Sequence, residues 1–417
     1  VRSRAAGGVS VQMLVLMVPV FLGLMGFAVD LGQLYLIRNE LKNAANAMAL
    51  AAASKLIGTE TATDAATAAA LLTLDNSTGL GNKYNFGALV IGESNGFLNS
   101  EVGGPTYYAS LVDAIGEDAA AGGEAGGTTA KYTRVTITAD APLLFWGLLA
   151  VGQERKTQIQ VKAVAGVSAP LCVACGIEPL AVAAVDTEDT VDFGFVVNQR
   201  YTFTYMCSGN QPAPFSGTTR INYLLLNRYN EEATVFPEEG QQVYRIGAQG
   251  LPGSTNPSYA CVQINSENGE SVWVNASPSF CGQPPALVTT LLCGIAARFE
   301  NVPPSGCDTI AEVDSMIAAY TQDTDTSDIE DYTLYTGNGR RIITVPVVDA
   351  LVPEGPMTVL GFRQFLIEPA TDGTNINPGD MGGRFAALYI GSVMPLKAGV
   401  IGGCTQTAGP GKVVLHQ

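Results

Sequence analysis

The sequence predicts an α+β protein: a long N-terminal hydrophobic helix, a small α/β domain, and a mainly β, disulfide-stapled C-terminal domain. Three observations carry this. Val9–Leu56 keeps helical periodicity without a break, strand-like alternation begins only after it, and all eight cysteines lie in the later part of the chain. The expected domains are residues 1–56, 57–168 and 169–417, within the two or three that 417 residues predict.

The first element divides in two. Met13 to Val29 holds no charged or hydrogen-bonding side chain, and with Val9–Gln12 it supplies roughly the ~20 residues that cross a bilayer's hydrocarbon core. Asp30 closes this apolar part. From Leu31 the helix turns amphipathic: Leu34, Ile37, Leu41, Ala45, Met48, Ala52 and Leu56 share one face, and Arg38, Asn39, Lys42, Asn43 and Asn46 take the other. Gly23, Gly26, Ala28, Gly32 and the alanines from Ala44 to Ala53 permit close helix approach. Pro19 removes a backbone donor inside the apolar half and predicts a kink or local melting there. A cleaved secretory signal would have a shorter apolar core followed by unrelated sequence, whereas here the helical pattern continues past Asp30. A plain single-pass anchor is the remaining alternative.

This N-terminus resembles that of the TadE/TadG-like pilus-assembly proteins of tight-adherence (Flp-type) pili. The matching residues are Arg4, Gly7, Gly8, the closing motif Asp30-Leu31-Gly32, then Tyr35, Arg38, Leu41, Asn43, Ala44, Ala45, Ala47, Leu50, Ala51 and Ala52. Members of that family usually carry Glu near the start of the apolar helix, where this chain has Gln12. The resemblance implies a pilin-like stalk and a structural subunit of an extracellular filament or of its assembly machinery. Its partners would be itself or other pilin-like subunits, the inner membrane and the pilus assembly machinery. It would reside in the bacterial inner membrane before assembly and at the cell surface or in the filament afterwards. The residues expected to serve assembly are Gln12, Phe21, Gly23, Gly26, Phe27, Asp30, Gly32 and Tyr35, with the glycines at contacts between subunits and Phe21, Leu24, Met25 and Phe27 filling the gaps. The family would also place a leader-peptidase cut near Gly7 or Gly8; the expectation adopted is that the mature chain keeps Arg2 and Arg4.

Beyond the helix, Gly58–Thr59 predicts a break and Thr61–Leu74 a second helix. Asn76–Lys83 reads as a turn, Tyr84–Ile91 as a strand and Ser94–Gly127 as loop. Tyr132–Ala139 and Lys156–Val167 alternate as strands around a short apolar helix, Pro142–Leu149, too short to span a bilayer. After Ala169-Pro170, strands are expected at Ala181–Val185, Thr190–Phe195, Tyr201–Tyr205, Ala233–Phe236, Gln242–Ile246, Val272–Val274, Arg341–Val348, Thr358–Ile367 and Phe385–Met394. Helices are expected at Asn222–Arg228, Ala286–Phe299 and Thr309–Tyr320. The Arg341–Asp349 and Val359–Phe362 strands loosely resemble those of some TadG-like proteins.

Composition narrows the function. Only 14% of residues are charged, Gly numbers 47 and mean hydropathy is +0.20, which suits a chain that buries much of itself against neighbours. A net charge of −16 lacks the basic footprint that nucleic acid demands. Arg2 and Arg4 before the apolar stretch direct the N-terminus to the cytoplasm and everything after Asp30 across the membrane. Cys172, Cys175, Cys207, Cys261, Cys281, Cys293, Cys307 and Cys404 would then lie in an oxidising compartment, where an even number favours disulfides. Their connectivity is not readable from sequence. Cys172-Val-Ala-Cys175 alternatively suggests a redox pair or half a metal site, but no second such pair exists.

No enzyme is expected. The single histidine, His416, is next to last in the sequence, and Walker, GxGxxG and HExxH motifs are absent. No cofactor is expected apart from a weak calcium candidate, Asp323, Asp325, Asp328 and Asp331, which lacks the EF-hand's Gly and Glu at the required offsets. The competing function is a membrane-anchored adhesin whose β domain binds carbohydrate or protein; an anchored hydrolase stands third.

Overall fold

The computed structural model describes residues 6–73, 100–102, 104–116, 124–143, 145, 156–226, 244–245, 247–248, 261–264, 272–273, 281, 286–299, 321–353, 355–369 and 376–416. They form two compact units. Unit 1 takes residues 1–55, 63–166 and 415–417, and unit 2 takes 56–62 and 167–414.

Unit 1 is a helix laid on a sheet. α1 (Ala6–Ala53) is one continuous helix of 48 residues, about 72 Å long at 1.5 Å per residue, with Pro19 inside it. α2 (Ala62–Leu72) follows after Gly58, whose φ of +80° is a left-handed geometry that side chains resist. β1 (Ser100–Val102), β2 (Thr106–Tyr108) and α3 (Leu111–Ile115) come next. β3 (Tyr132–Pro142) and β4 (Lys156–Val167) pair antiparallel along their whole length, from Tyr132 opposite Gly166 to Pro142 opposite Lys156. β1 lies against Ile137–Ala139 and β2 against Tyr132–Arg134 on β3's other edge. α1 packs on β3.

The segment expected as loop, Ser94–Gly127, therefore contains two strands and a helix. The cause is β3, whose second edge would otherwise present unpaired N–H and C=O groups. Of the predicted Pro142–Leu149 helix, Pro142 ends β3 and Phe145 lies in a turn. The rest of it, apart from Leu143, and the Asn76–Lys83 and Tyr84–Ile91 predictions lie outside the described residues.

Unit 2 centres on a closed barrel. Its elements are β5 (Leu171–Cys175), β6 (Leu180–Ala183), β7 (Arg200–Tyr205), β8 (Thr219–Leu225), β9 (Cys261–Gln263), β10 (Val272–Trp273) and α4 (Ala286–Ala296). A 3₁₀ turn (Tyr332–Leu334), β11 (Ile342–Val348), β12 (Pro356–Met357), β13 (Val359–Ile367), β14 (Phe385–Gly391) and β15 (Ala398–Ile401) complete the order, and the last strand, β16 (Val413–Leu415), is the neighbour of β4 in the β1-β3-β4-β16 sheet. The barrel runs β11-β13-β14-β7-β8-β6 and closes from β6 back to β11, so it has no open edge. β7–β8 and β6–β11 are its parallel pairs. Aromatic rings fill it: Phe203 stacks on Phe385 at 4.5 Å, and Phe365 meets Phe203, Phe195 and Tyr389 between 5.0 and 5.5 Å. β15-β5-β9 forms a separate three-stranded sheet, and β10 pairs β12.

Two predictions in this unit are corrected. Asn222–Leu225, expected as helix, belongs to β8, paired with β7 on one side and β6 on the other. A strand buried on both faces shows no alternation, and its Leu-rich run imitates a helix. Thr190–Phe195, expected as strand, is a turn. The Asp189 carboxylate accepts N–H bonds from Val191 at 2.9 Å, Asp192 at 3.2 Å and Gly194 at 2.9 Å, and Phe193 takes a φ of +55°. Such local bonds give the backbone an alternative to a ladder. Ala233–Phe236, Thr309–Tyr320 and most of Gln242–Ile246 lie outside the described residues.

The cysteines are used as disulfides. Cys172 bonds Cys404, Cys175 bonds Cys261 and Cys207 bonds Cys281; Cys293 is also disulfide-bonded, and no described cysteine is free. The Cys172-x-x-Cys175 pair is split between two partners and is no redox pair. Cys307 lies outside the described residues.

Candidate functional site

α1 changes character at Gly26. Before it, the helix touches almost nothing: every large apolar side chain from Met13 to Val29 is at least 46% exposed, and only 11% of the most apolar 18-residue window is buried. A core helix of a globular protein with that composition would be mostly buried, so this one presents its apolar surface to something outside the chain. Transfer of a large apolar side chain out of water contributes ~1.5–3 kcal/mol, which makes an aqueous setting for the whole run untenable. Gln12, Phe21, Phe27 and Tyr35 are all exposed, and a Cβ placed on Gly23 or Gly32 would meet nothing within 4 Å.

From Gly26 onward one stripe is packed down: Gly26, Asp30, Ile37, Leu41, Ala45, Met48, Ala49, Ala52 and Ala53 are buried. This is the amphipathic face that the spacing predicts, although Leu34 is only half-buried. Arg38, Asn39, Lys42 and Asn43 are exposed as expected, and Asn46 is half-buried. Gly26, expected at a contact between subunits, sits beneath Phe145 of its own chain; an added Cβ would fall 2.7 Å from that residue's Cβ. One turn on, Asp30 is 3% exposed, and both its carboxylate oxygens accept the Phe145 N–H at 3.1 Å. A carboxylate at the foot of an apolar span is costly unless it gains such donors. Asp30 thereby ties the helix to the turn that follows β3. Sequence reasoning marked Gly26 and Asp30 but could not find Phe145, 115 residues beyond Asp30.

The acidic loop is occupied by the chain itself. Asp323, 1% exposed, accepts from the Asp325 N–H at 3.1 Å, the Arg341 N–H at 3.3 Å and the Tyr335 hydroxyl. Asp325 accepts from Ser327 at 3.1 Å and Thr336 at 3.0 Å and faces Arg341 at 3.9 Å. Burial raises the Asp325 pKa, but these donors and Arg341 outweigh it and leave the carboxyl below its ordinary range. Asp328 pairs with Arg200 at 3.5 Å, and Asp331 caps the 3₁₀ turn through the Thr333 N–H at 3.0 Å. Among the described residues, no group of three or more His, Cys, Asp or Glu is gathered as for a metal ion.

Two buried ion pairs escaped the sequence reading. Arg298 binds Glu178, and Arg341, fully buried, lies 3.4 Å from Glu368 while donating to the Ile367 carbonyl at 2.8 Å. Burial pushes both glutamates up to about 7 despite their arginines. His416 packs edge-on against Tyr132 at 5.4 Å, and burial lowers its pKa.

Comparison with known proteins meets this geometry at α1. Residues 7–55 match a family described as "Putative Flp pilus-assembly TadE/G-like". No curated protein and no solved structure matches the chain. The matched segment is α1 without its first residue, with the two residues that follow it, and includes both the exposed apolar half and the packed stripe. The N-terminal helix of the chain is thus similar to the TadE/G-like segment of Flp pilus-assembly proteins.

Proposed function

We propose that this protein is a structural, pilin-like subunit of an extracellular filament or of its assembly machinery. Its apolar half-helix is held first in the inner membrane and then against neighbouring subunits of its own or a related kind. The observation that carries the reading is the abrupt change along α1: an unbroken helix whose far half is packed into a folded unit while Met13–Val29 of its near half turns large apolar side chains outwards. An anchor needs the near half alone. A helix that is also a building block needs the stiff continuation that fixes its direction.

The test uses the full chain expressed in a bacterium that makes such pili and lacks its own copy. Gly23→Leu adds bulk where the chain itself leaves open space, so folding and membrane insertion are spared, whereas a neighbouring helix would be displaced. The expected outcome is that the wild-type chain sediments with material sheared from the cells and Gly23→Leu falls by roughly tenfold, the equivalent of ~1.4 kcal/mol of lost association. Recovery of only detergent-soluble monomers from the wild type would defeat the proposal. Gly26→Leu would not serve, because its added bulk strikes Phe145 within the same chain.

A further inference from the structure

We infer that the turn carrying Phe145 is a second membrane contact, seated in the headgroup boundary of the bilayer beside α1. The inference rests on the membrane stage of the function proposed above and specifies a surface outside the helix itself. Three features of unit 1 support it. Phe145 is apolar yet 43% exposed, although it packs against bare helix backbone at Gly26 and donates its N–H to Asp30. Leu143, the next described residue before it, is apolar and only half-buried, and the sequence from Pro142 to Val151 has no charged residue.

The span length then fixes the depth. Val9–Val29 rises about 31 Å at 1.5 Å per residue, which matches a hydrocarbon core of about 30 Å and puts Asp30 close to its boundary. Gly26 lies one turn, about 6 Å, before Asp30 along the axis. A residue held against Gly26 and Asp30 is therefore at the level where the span leaves the hydrocarbon, on the side to which the folded unit belongs. An apolar side chain such as Phe145 suits that level, where the apolar faces of interfacial segments sink into the boundary between headgroups and acyl chains. The same level suits the Asp30 carboxylate, which is satisfied there by a backbone donor rather than by solvent. A lipid surface, rather than a second protein, is the occupant because the exposed face of Phe145 is continuous with the apolar span and shares its depth.

The experiment reconstitutes the full chain into phosphatidylcholine vesicles carrying bromines either shallow or deep on the acyl chains. Tryptophan is removed from positions 146 and 273 as Trp146→Phe and Trp273→Phe, and a single reporter is placed by Phe145→Trp or, separately, Phe21→Trp. Shallow bromines should quench the reporter at 145 roughly twofold more than deep ones, with the order reversed at 21, near the middle of the span. Deep quenching at 21 with none at 145 overturns the inference and leaves the helix reading intact. Absence of quenching at both positions overturns both. Photolabelling of the unmodified chain by a lipid with a shallow carbene precursor gives an independent measure that needs no substitution. The tryptic peptide of residues 135–155 should carry label alongside the α1 peptides, and a peptide free of label beside a labelled α1 likewise refutes the contact.

Discussion

The two units solve the problem of cohesion by opposite means. Unit 1 is built from small side chains: Ala45, Ala49, Ala52 and Ala53 on α1, Ala66 and Ala70 on α2, and Ala139, Ala141, Ala163 and Ala165 on the sheet are all buried. They bring backbones close together, and no described disulfide lies in this unit. Unit 2 is packed with rings inside a closed barrel, cross-linked by cystines and threaded by buried arginine–glutamate pairs. Close backbone packing yields a straight, stiff element that is intolerant of added volume. A ring-filled, cross-linked barrel yields a body that withstands an oxidising exterior. Under the function proposed above, the first property would serve packing against neighbouring subunits and the second exposure outside the cell.

The sharpest break of this contrast is expected from the cystines. Cys172 and Cys404 are 232 residues apart, and the chain-entropy relation assigns their bond about 5 kcal/mol. Replacing both with alanine should lower the unfolding free energy of unit 2 by that order while β3 and α1 keep their protection. Amide hydrogen exchange read peptide by peptide checks this, and equal loss in both units would dissolve the distinction.

A smaller effect is expected in unit 1. Ala45 is fully buried within the α1 stripe, so Ala45→Leu should overpack it at a cost of about 1–3 kcal/mol. Ala47 is exposed two residues away, and Ala47→Leu should change stability little. Faster exchange in Tyr132–Pro142 for the first variant alone would sharpen the picture of volume-limited packing.

The mildest effect is on pH. Glu178 and Glu368 have an ordinary pKa of 4.5 and are raised to about 7 in the folded chain. Between these values the folded form retains protons that the unfolded form has released. Stability contributed by each glutamate is full below about pH 4.5, declines as pH rises and levels off above about 7, by at most ~1.4 kcal/mol per pH unit for each group. Calorimetry of unit 2's transition between pH 5 and 8 should show Tm falling with pH, and the Glu178→Gln/Glu368→Gln chain should flatten that slope. An unchanged slope would assign the dependence to other groups.

How much of this was legible depends on the range of the cause. The α1 stripe is a local periodicity, and Ile37, Leu41, Ala45, Met48 and Ala52 were readable because each residue's burial follows from its angle on one helix. β3 and β4 were readable for the same reason, their alternation being written in consecutive residues. β8 was not, since a strand covered on both sides loses its alternation, and β1 and β2 were hidden because only β3's open edge gives three-residue segments a reason to be strands. The Asp189 turn was misread because one carboxylate overrode an alternating pattern. At the candidate site the sequence marked Asp30 and Gly26, but their partner depends on a contact over more than a hundred residues. The pairing of the cysteines and of Arg298 with Glu178 is likewise a product of the tertiary fold, with no local signature.

The Cys172–Cys404 bond has a mechanical meaning as well. It joins a residue five positions inside the first stretch of the barrel unit's main segment to one ten positions from its end. A tensile load applied across that segment passes through the sulfur atoms and leaves the intervening polypeptide slack. Without the bond, and with Cys175–Cys261 still closed, the free path from Cys172 to Cys404 could reel out to roughly 500 Å at about 3.4 Å per residue. With it, a pull across that segment would bypass most of the barrel's polypeptide, leaving the strands between the two cysteines unloaded.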